Sequence, residues 1–127
     1  MKQLILIAVL CLTIKSNAQV NVSGKFLNSK ATYTVYEMEE DSTYSLIKST
    51  DKVKHKYSID LEDNKTYIVK FTNEDNKVKS MRFISYDSGY IDLDVEFKSN
   101  KNAYVTIKDR KAKVKRTTEP LLAVVTE

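Results

Sequence analysis

His55 is the single histidine of the chain, and it stands between Lys54 and Lys56. One imidazole cannot supply a histidine pair for zinc, and any serine–histidine relay would depend on that one position. The flanking ammonium groups repel a proton or a metal cation, so His55 reads as an exposed or half-exposed strand residue. Ser88 precedes Gly89 without the strand–turn–helix setting that activates a serine, and no glycine-rich phosphate loop exists. The expectation is a protein with no catalytic residues, no metal ligands and no cofactor, hence not an enzyme.

Two charged rows remain as candidates for binding. Asp92, Asp94 and Glu96 alternate with Ile91, Leu93, Val95 and Phe97. On one strand face they recur every ~7 Å, because each strand residue rises about 3.3 Å. Calcium requires six to eight converging oxygens, whereas a straight strand spreads its side chains apart; only the neighbouring loop Asp87-Ser88-Gly89 keeps a calcium reading open. Lys111, Lys113 and Lys115 form a second row with the same spacing. The simpler expectation is that adjacent strands pair the two rows across one sheet.

The lysine row belongs to the most polarised stretch of the chain. From Lys98 to Arg116, eight cations face Asp109 alone. Lys108, Arg110, Lys111, Lys113, Lys115 and Arg116 make a candidate surface for an anionic polysaccharide, a lipid surface or an acidic envelope protein, whose approach clustered cations promote at low ionic strength. Nucleic acid is not an expected partner. The plainer alternative is a solvated face neutralised by the acidic row and by Glu37, Glu39, Glu40 and Asp41. Among eight tyrosines, Tyr86 and Tyr90 flank the Asp87–Gly89 loop and form a candidate exposed aromatic patch for carbohydrate. Tyr57 and Tyr67 suit the core, with hydroxyls reaching the rim.

The positioning elements begin after a leader. MKQLILIAVLCLTIKSNAQ has a charged start, an apolar run from Leu4 to Ile14 and a small-residue exit, the layout of a signal peptide, helical over residues 1–18 and cleaved between Ala18 and Gln19. The run of about eleven residues is too short for a membrane span, which needs roughly 20. Lipid attachment at Cys11 is disfavoured by Leu10 before it. Removing Lys2 and Lys15 turns 21 bases against 17 acids into 19 against 17. The only cysteine leaves as well, so a hydrophobic core must hold the exported chain without a disulfide. About 109 residues suffice for one such core, giving a single domain over residues 19–127.

That domain reads as all-β. Alternation of period two marks Tyr57–Leu61, Tyr67–Phe71 and the long run Tyr90–Lys98. Val20–Leu27, Thr32–Met38, Tyr44–Ser49, Val78–Ser85, Ala103–Lys108, Lys111–Lys115 and Leu121–Val125 follow the same scheme less cleanly. Glu62–Lys65 reads as a hairpin between the first two of these segments. With two glycines and one proline in the chain, Asn and Asp must make the turns, as in Glu39–Ser42, Asn73–Asn76 and Ser99–Asn102. Short strands at this spacing predict an antiparallel β-sandwich or barrel.

The opening Val22-Ser23-Gly24-Lys25, the strand Ala31 to Met38, the segments Lys56–Leu61 and Lys65–Phe71, and Lys77–Ile84 together resemble the transthyretin-like, carboxypeptidase-regulatory-type β-sandwich modules of exported Bacteroidota proteins. The resemblance covers Val20 to Ser85, with further strands over residues 86–127. It lacks the family's Pro-Gly at Glu62–Lys65 and the Gly-Tyr after Asn73–Asn76. It implies a structural or adhesive module of the cell envelope without catalytic residues. Asp41-Ser42-Thr43 resembles the acceptor sequence for O-glycosylation in such proteins, with Ser42 as the acceptor. A reading from another class is a periplasmic inhibitor or immunity-type protein that binds a secreted enzyme. Both place the protein in the periplasm, at the outer membrane or outside the cell.

Overall fold

The computed structural model describes residues 19–99 and 101–118, together with the backbone of 125–126. The leader, including Ala18, and Leu121 to Val124 of the apolar end lie outside the described residues. The chain runs β1 (Gln19–Leu27), β2 (Ala31–Met38), β3 (Tyr44–Ser49), β4 (Lys56–Glu62), β5 (Thr66–Asn73) and β6 (Val78–Ser85). β7 (Gly89–Asp92), β8 (Val95–Glu96), β9 (Asn102–Lys108), β10 (Lys111–Thr117) and β11 (Val125–Thr126) follow. All described secondary structure is strand, and no helix among the described residues is long and apolar enough to cross a membrane.

Two sheets share the strands. The smaller has the order β4-β1-β7, with β8 also on β1, and the larger runs β10-β9-β6-β5-β2-β3-β11. Both are mixed rather than purely antiparallel, because β1 lies parallel to β7 and β8, β6 parallel to β9, and β3 parallel to β11. Alternate residues turn inward. Val20, Val22, Ile59, Leu61, Ile91 and Val95 of the small sheet meet Val35, Val69, Phe71, Met81, Phe83, Val105 and Ile107 of the large one in a single buried cluster. Phe26, Tyr57, Phe71 and Phe97 bring their rings together there, Tyr57 and Phe71 at 4.9 Å between centroids. Offset and tilted ring pairs of this kind add to the gain from burial.

Among the described residues, no strand of the smaller sheet lies over the outer face of the larger one. A second cluster nevertheless buries Tyr36, Tyr44 and Ile68 on that face. Lys70 stands 5.3 Å from the Tyr36 ring, and Arg82 lies 6.0 Å and 5.4 Å from the rings of Tyr44 and Tyr104. Cations over ring faces are held by the quadrupole of the ring.

Three sequence expectations are corrected here. β4 and β5 do not form a hairpin: β4 pairs with β1, whereas β5 pairs with β2 and β6, so Glu62–Lys65 is a corner carrying the chain from one sheet to the other. The Glu62 amide donates to the Tyr67 hydroxyl at 3.0 Å across that corner, and Asn64 holds its left-handed bend at φ 57°. The run Tyr90–Lys98 is broken after Asp92, where Leu93 donates its amide to the Ser23 carbonyl and its own carbonyl takes the place a side chain on Gly24 would need. The acidic row and the lysine row are not cross-strand neighbours, since β7 and β8 belong to the small sheet and β10 to the edge of the large one.

Asparagine does much of the turning that glycine does elsewhere. Asn28, Asn64 and Asn76 all have left-handed backbones, a conformation their short polar side chain tolerates. Asn73 Oδ1 accepts from the amides of Asp75 and Lys77, both at 2.9 Å, closing the β5–β6 turn.

Candidate anion-binding site

β9 and β10 form a tight hairpin with Lys108 opposite Lys111 and only Asp109 and Arg110 between them. Both turn residues are left-handed, at φ 55° and 60°. This is the geometry of a type I′ turn, which matches the twist of the strands and prefers Asn-Gly. Holding an arginine there is unfavourable for the backbone. The loop before β7 secures the turn: the Asp109 amide donates to an Asp87 carboxylate oxygen, the Tyr86 amide donates to the Ile107 carbonyl at 2.9 Å, and Ser85 Oγ donates to the Asp87 carbonyl at 3.0 Å.

Ala103, Val105 and Ile107 face the core, so Tyr104, Thr106 and Lys108 face outward. Register then places the residues of β10. Lys111, Lys113 and Lys115 stand beside Lys108, Thr106 and Tyr104 on the outer face, whereas Arg116, opposite Ala103, lies on the other. Thr106, Lys108, Asp109, Lys111 and Lys113 line a hollow of about 330 Å³. Lys108 and Lys111 are like charges directly opposite each other, an arrangement that costs stability unless an anion lies between them. Three lysines against the single carboxylate of Asp109 in one lining, with the Thr106 hydroxyl beside them, suit an anionic ligand.

The six cations singled out from the sequence are thus divided. Lys108, Lys111 and Lys113 converge, and Lys115 continues their row. Arg110 lines a neighbouring hollow with Asp63, Asp87, Ser88 and Asp109, among carboxylates rather than lysines. Thr106 was missed by charge alone, although the alternation of Ala103–Lys108 places it outward.

The other candidates are dispersed. Tyr86, 52% exposed, follows β6 of the large sheet, and Tyr90, 70% exposed, projects from β7 of the small one. They belong to different sheets, and the Tyr90 hydroxyl accepts a 3.0 Å hydrogen bond from Ser23 Oγ. Ser42 is exposed in the β2–β3 turn with φ 68°, beside an Asp41 carboxylate that accepts from the Thr43 amide and hydroxyl. Those two hydrogen bonds hold the Asp41 carboxyl below its usual pKa. Gln19, the first residue after the predicted cleavage point, opens β1 opposite Glu62. His55 is exposed, with its carbonyl accepting from the Phe26 amide at 2.9 Å.

The acidic row has structural work. Asp94 turns back so that its carboxylate accepts from the Lys25 amide at 2.9 Å, replacing the backbone partner lost at the break between β7 and β8. Among the described residues, no group of three or more His, Cys, Asp or Glu side chains is arranged to hold a metal ion. Glu37 and Glu62 are occupied by Lys65, whose ammonium lies 2.7 Å from each. These hydrogen bonds, Glu37 first, raise the Lys65 pKa.

No protein-family profile matches this chain, and none of the curated protein sequences matches it.

Proposed function

We propose that residues 19–127 form an exported, non-catalytic binding module of the cell envelope that contacts an anionic polysaccharide through the outer face of the β9–β10 hairpin. The observation that carries this reading is the convergence of Lys108, Lys111 and Lys113 on one hollow at the sheet edge. Lysines on an edge strand also discourage strand-to-strand aggregation. That role alone does not call for Lys108 and Lys111 to face each other directly. The all-β architecture in two sheets supports the β-sandwich part of this reading. The leader ahead of β1 supports export, and the exposed turn position of Ser42 supports its reading as a glycosylation acceptor.

The test uses dextran sulfate, with uncharged dextran as the control polymer of the same sugar. The protein should be retained on the sulfated polymer at low salt and pass the uncharged one. The triple variant Lys108→Gln, Lys111→Gln, Lys113→Gln should lose most retention while keeping the wild-type circular dichroism. Equal retention of the triple variant would remove the reading.

A further inference from the structure

A second cavity lies on the opposite side of the molecule, where the sandwich opens between β2 and β4. It measures about 390 Å³, and its walls include Tyr33, Tyr57, Thr50, Lys54 and Lys56. Its size falls in the range of small-molecule sites, which combine apolar walls with a few polar groups. We propose that this cavity binds one carboxylated sugar ring, a site distinct from the lysine-lined hollow of the β9–β10 hairpin.

The chain builds this mouth with backbone contacts. After β3, the segment Thr50–His55 crosses from the large sheet to the small one. It is tied down by a reciprocal backbone pair between Ala31 and Lys54, at 3.0 Å and 3.1 Å. Thr50 clamps Tyr33: its amide donates to the Tyr33 carbonyl at 3.0 Å, and its hydroxyl oxygen accepts from the Tyr33 amide at 3.0 Å. Tyr33 is half-buried against the core cluster and forms one wall. Tyr57 is also in the lining, with its ring packed against Phe26 and Phe71 and its hydroxyl donated to the Leu93 carbonyl, which leaves Tyr33 as the ring open to a ligand.

Charge and ring faces select the ligand. The lining carries two lysines and no carboxylate, and a third ammonium, that of Lys48, lies 6.0 Å from the Tyr33 ring centroid. Among the described residues, none of these three lysines has a carboxylate within ion-pair distance. An anion is therefore the complementary charge. The C–H face of a pyranose carries partial positive charge and packs on the electron-rich face of a tyrosine. A carboxylate on the same ring then reaches Lys54 or Lys56 in a charge-assisted hydrogen bond. A uronic acid combines the two features in one unit.

The experiment follows amide and tyrosine ring shifts of the labelled protein by NMR during titration with galacturonate, galactose and trigalacturonate. Galacturonate should shift Tyr33, Lys54 and Lys56, and galactose should bind about tenfold more weakly, the loss expected for one charge-assisted bond. The double variant Lys54→Gln, Lys56→Gln should weaken galacturonate by about tenfold or more, with its fold intact because Lys54 bridges Ala31 through backbone atoms alone. Shifts at Tyr33, Lys54 and Lys56 read this site separately from shifts at Thr106, Lys108 and Lys111, which report on the polymer-binding hairpin. Tighter binding of the trimer, read from the Tyr33, Lys54 and Lys56 shifts alone, would mark the source as a polymer, and equal binding a free sugar. Equal affinity for galactose and galacturonate, shifts confined to the β9–β10 hairpin, or no shift at millimolar galacturonate would overturn the proposal.

Discussion

The carbonyl of Leu93 occupies the space that a side chain on Gly24 would need. A Cβ built on Gly24 would overlap that carbonyl and stand 3.2 Å from the Asp94 amide nitrogen. The approach is fixed from three sides. Leu93 donates its amide to the Ser23 carbonyl at 2.7 Å, Tyr57 donates its hydroxyl to the Leu93 carbonyl, and Asp94 accepts from the Lys25 amide. These contacts let the chain step from β7 to β8 without leaving β1.

Gly24→Ala should therefore be costly. Either β1 or the Leu93 peptide must move, and forced overpacking of this kind costs typically 1–3 kcal/mol. Urea denaturation monitored by circular dichroism should show a midpoint lowered accordingly, with an unchanged slope. A variant as stable as the wild type would mean that the close approach does not hold in solution.

Tyr57→Phe probes the same junction through pH. Losing the bond to Leu93 should cost about 1 kcal/mol near neutrality. Burial first, then the charges of Asp94 and Asp92, raises the Tyr57 pKa above its ordinary value of 10.0. The native state thus keeps a proton that the unfolded chain releases, so stability falls as pH climbs past 10.0. Denaturation at pH 9 to 11 should show a steeper loss in the wild type than in Tyr57→Phe.

Lys79 contributes with the opposite sign. It is buried, and its ammonium donates to the Ser99 carbonyl, to Ser99 Oγ at 3.0 Å and to the Lys101 carbonyl at 2.7 Å. Desolvation, then the nearby Arg116 charge, lowers its pKa below 10.5. The unfolded chain binds this proton more tightly, so the contribution of Lys79 rises with pH from its native pKa toward 10.5. Lys79→Met should abolish that rise while destabilising the protein at pH 7, because two carbonyls lose their donor. Parallel pH profiles of the two proteins would contradict the assignment.

Much of this architecture is legible in the residues themselves. Alternation locates the bounds of β3 and β6, and the inward set Ile91, Leu93, Val95 and Phe97 faces the core, Leu93 less deeply than the rest. What alternation lacks is any record of the partner strand. Glu62–Lys65 has the length and polarity of a hairpin turn, and nothing local reveals that β4 and β5 join different sheets. Equal spacing of Asp92, Asp94 and Glu96 with Lys111, Lys113 and Lys115 likewise suggests a pairing that the topology does not make. Nothing local marks the cavity between Tyr33 and Tyr57 either, since its walls are far apart in sequence.

Arg110→Gly separates stability from binding at the hairpin. Glycine tolerates φ 60° without the clash that a Cβ brings, so the variant should gain roughly 0.5–1 kcal/mol. Arg110 lies among aspartates, so its loss should reduce dextran sulfate retention less than Lys108→Gln, Lys111→Gln or Lys113→Gln does. Thermal melts and column retention of these four variants check both halves.

The salt dependence of dextran sulfate affinity tests the polymer-binding reading most directly. If Lys108, Lys111 and Lys113 contact the polymer, the slope of log affinity against log salt should shrink by about 3 in the triple glutamine variant, roughly one per cation removed. An unchanged slope in that variant, with the wild-type fold retained, would contradict the account.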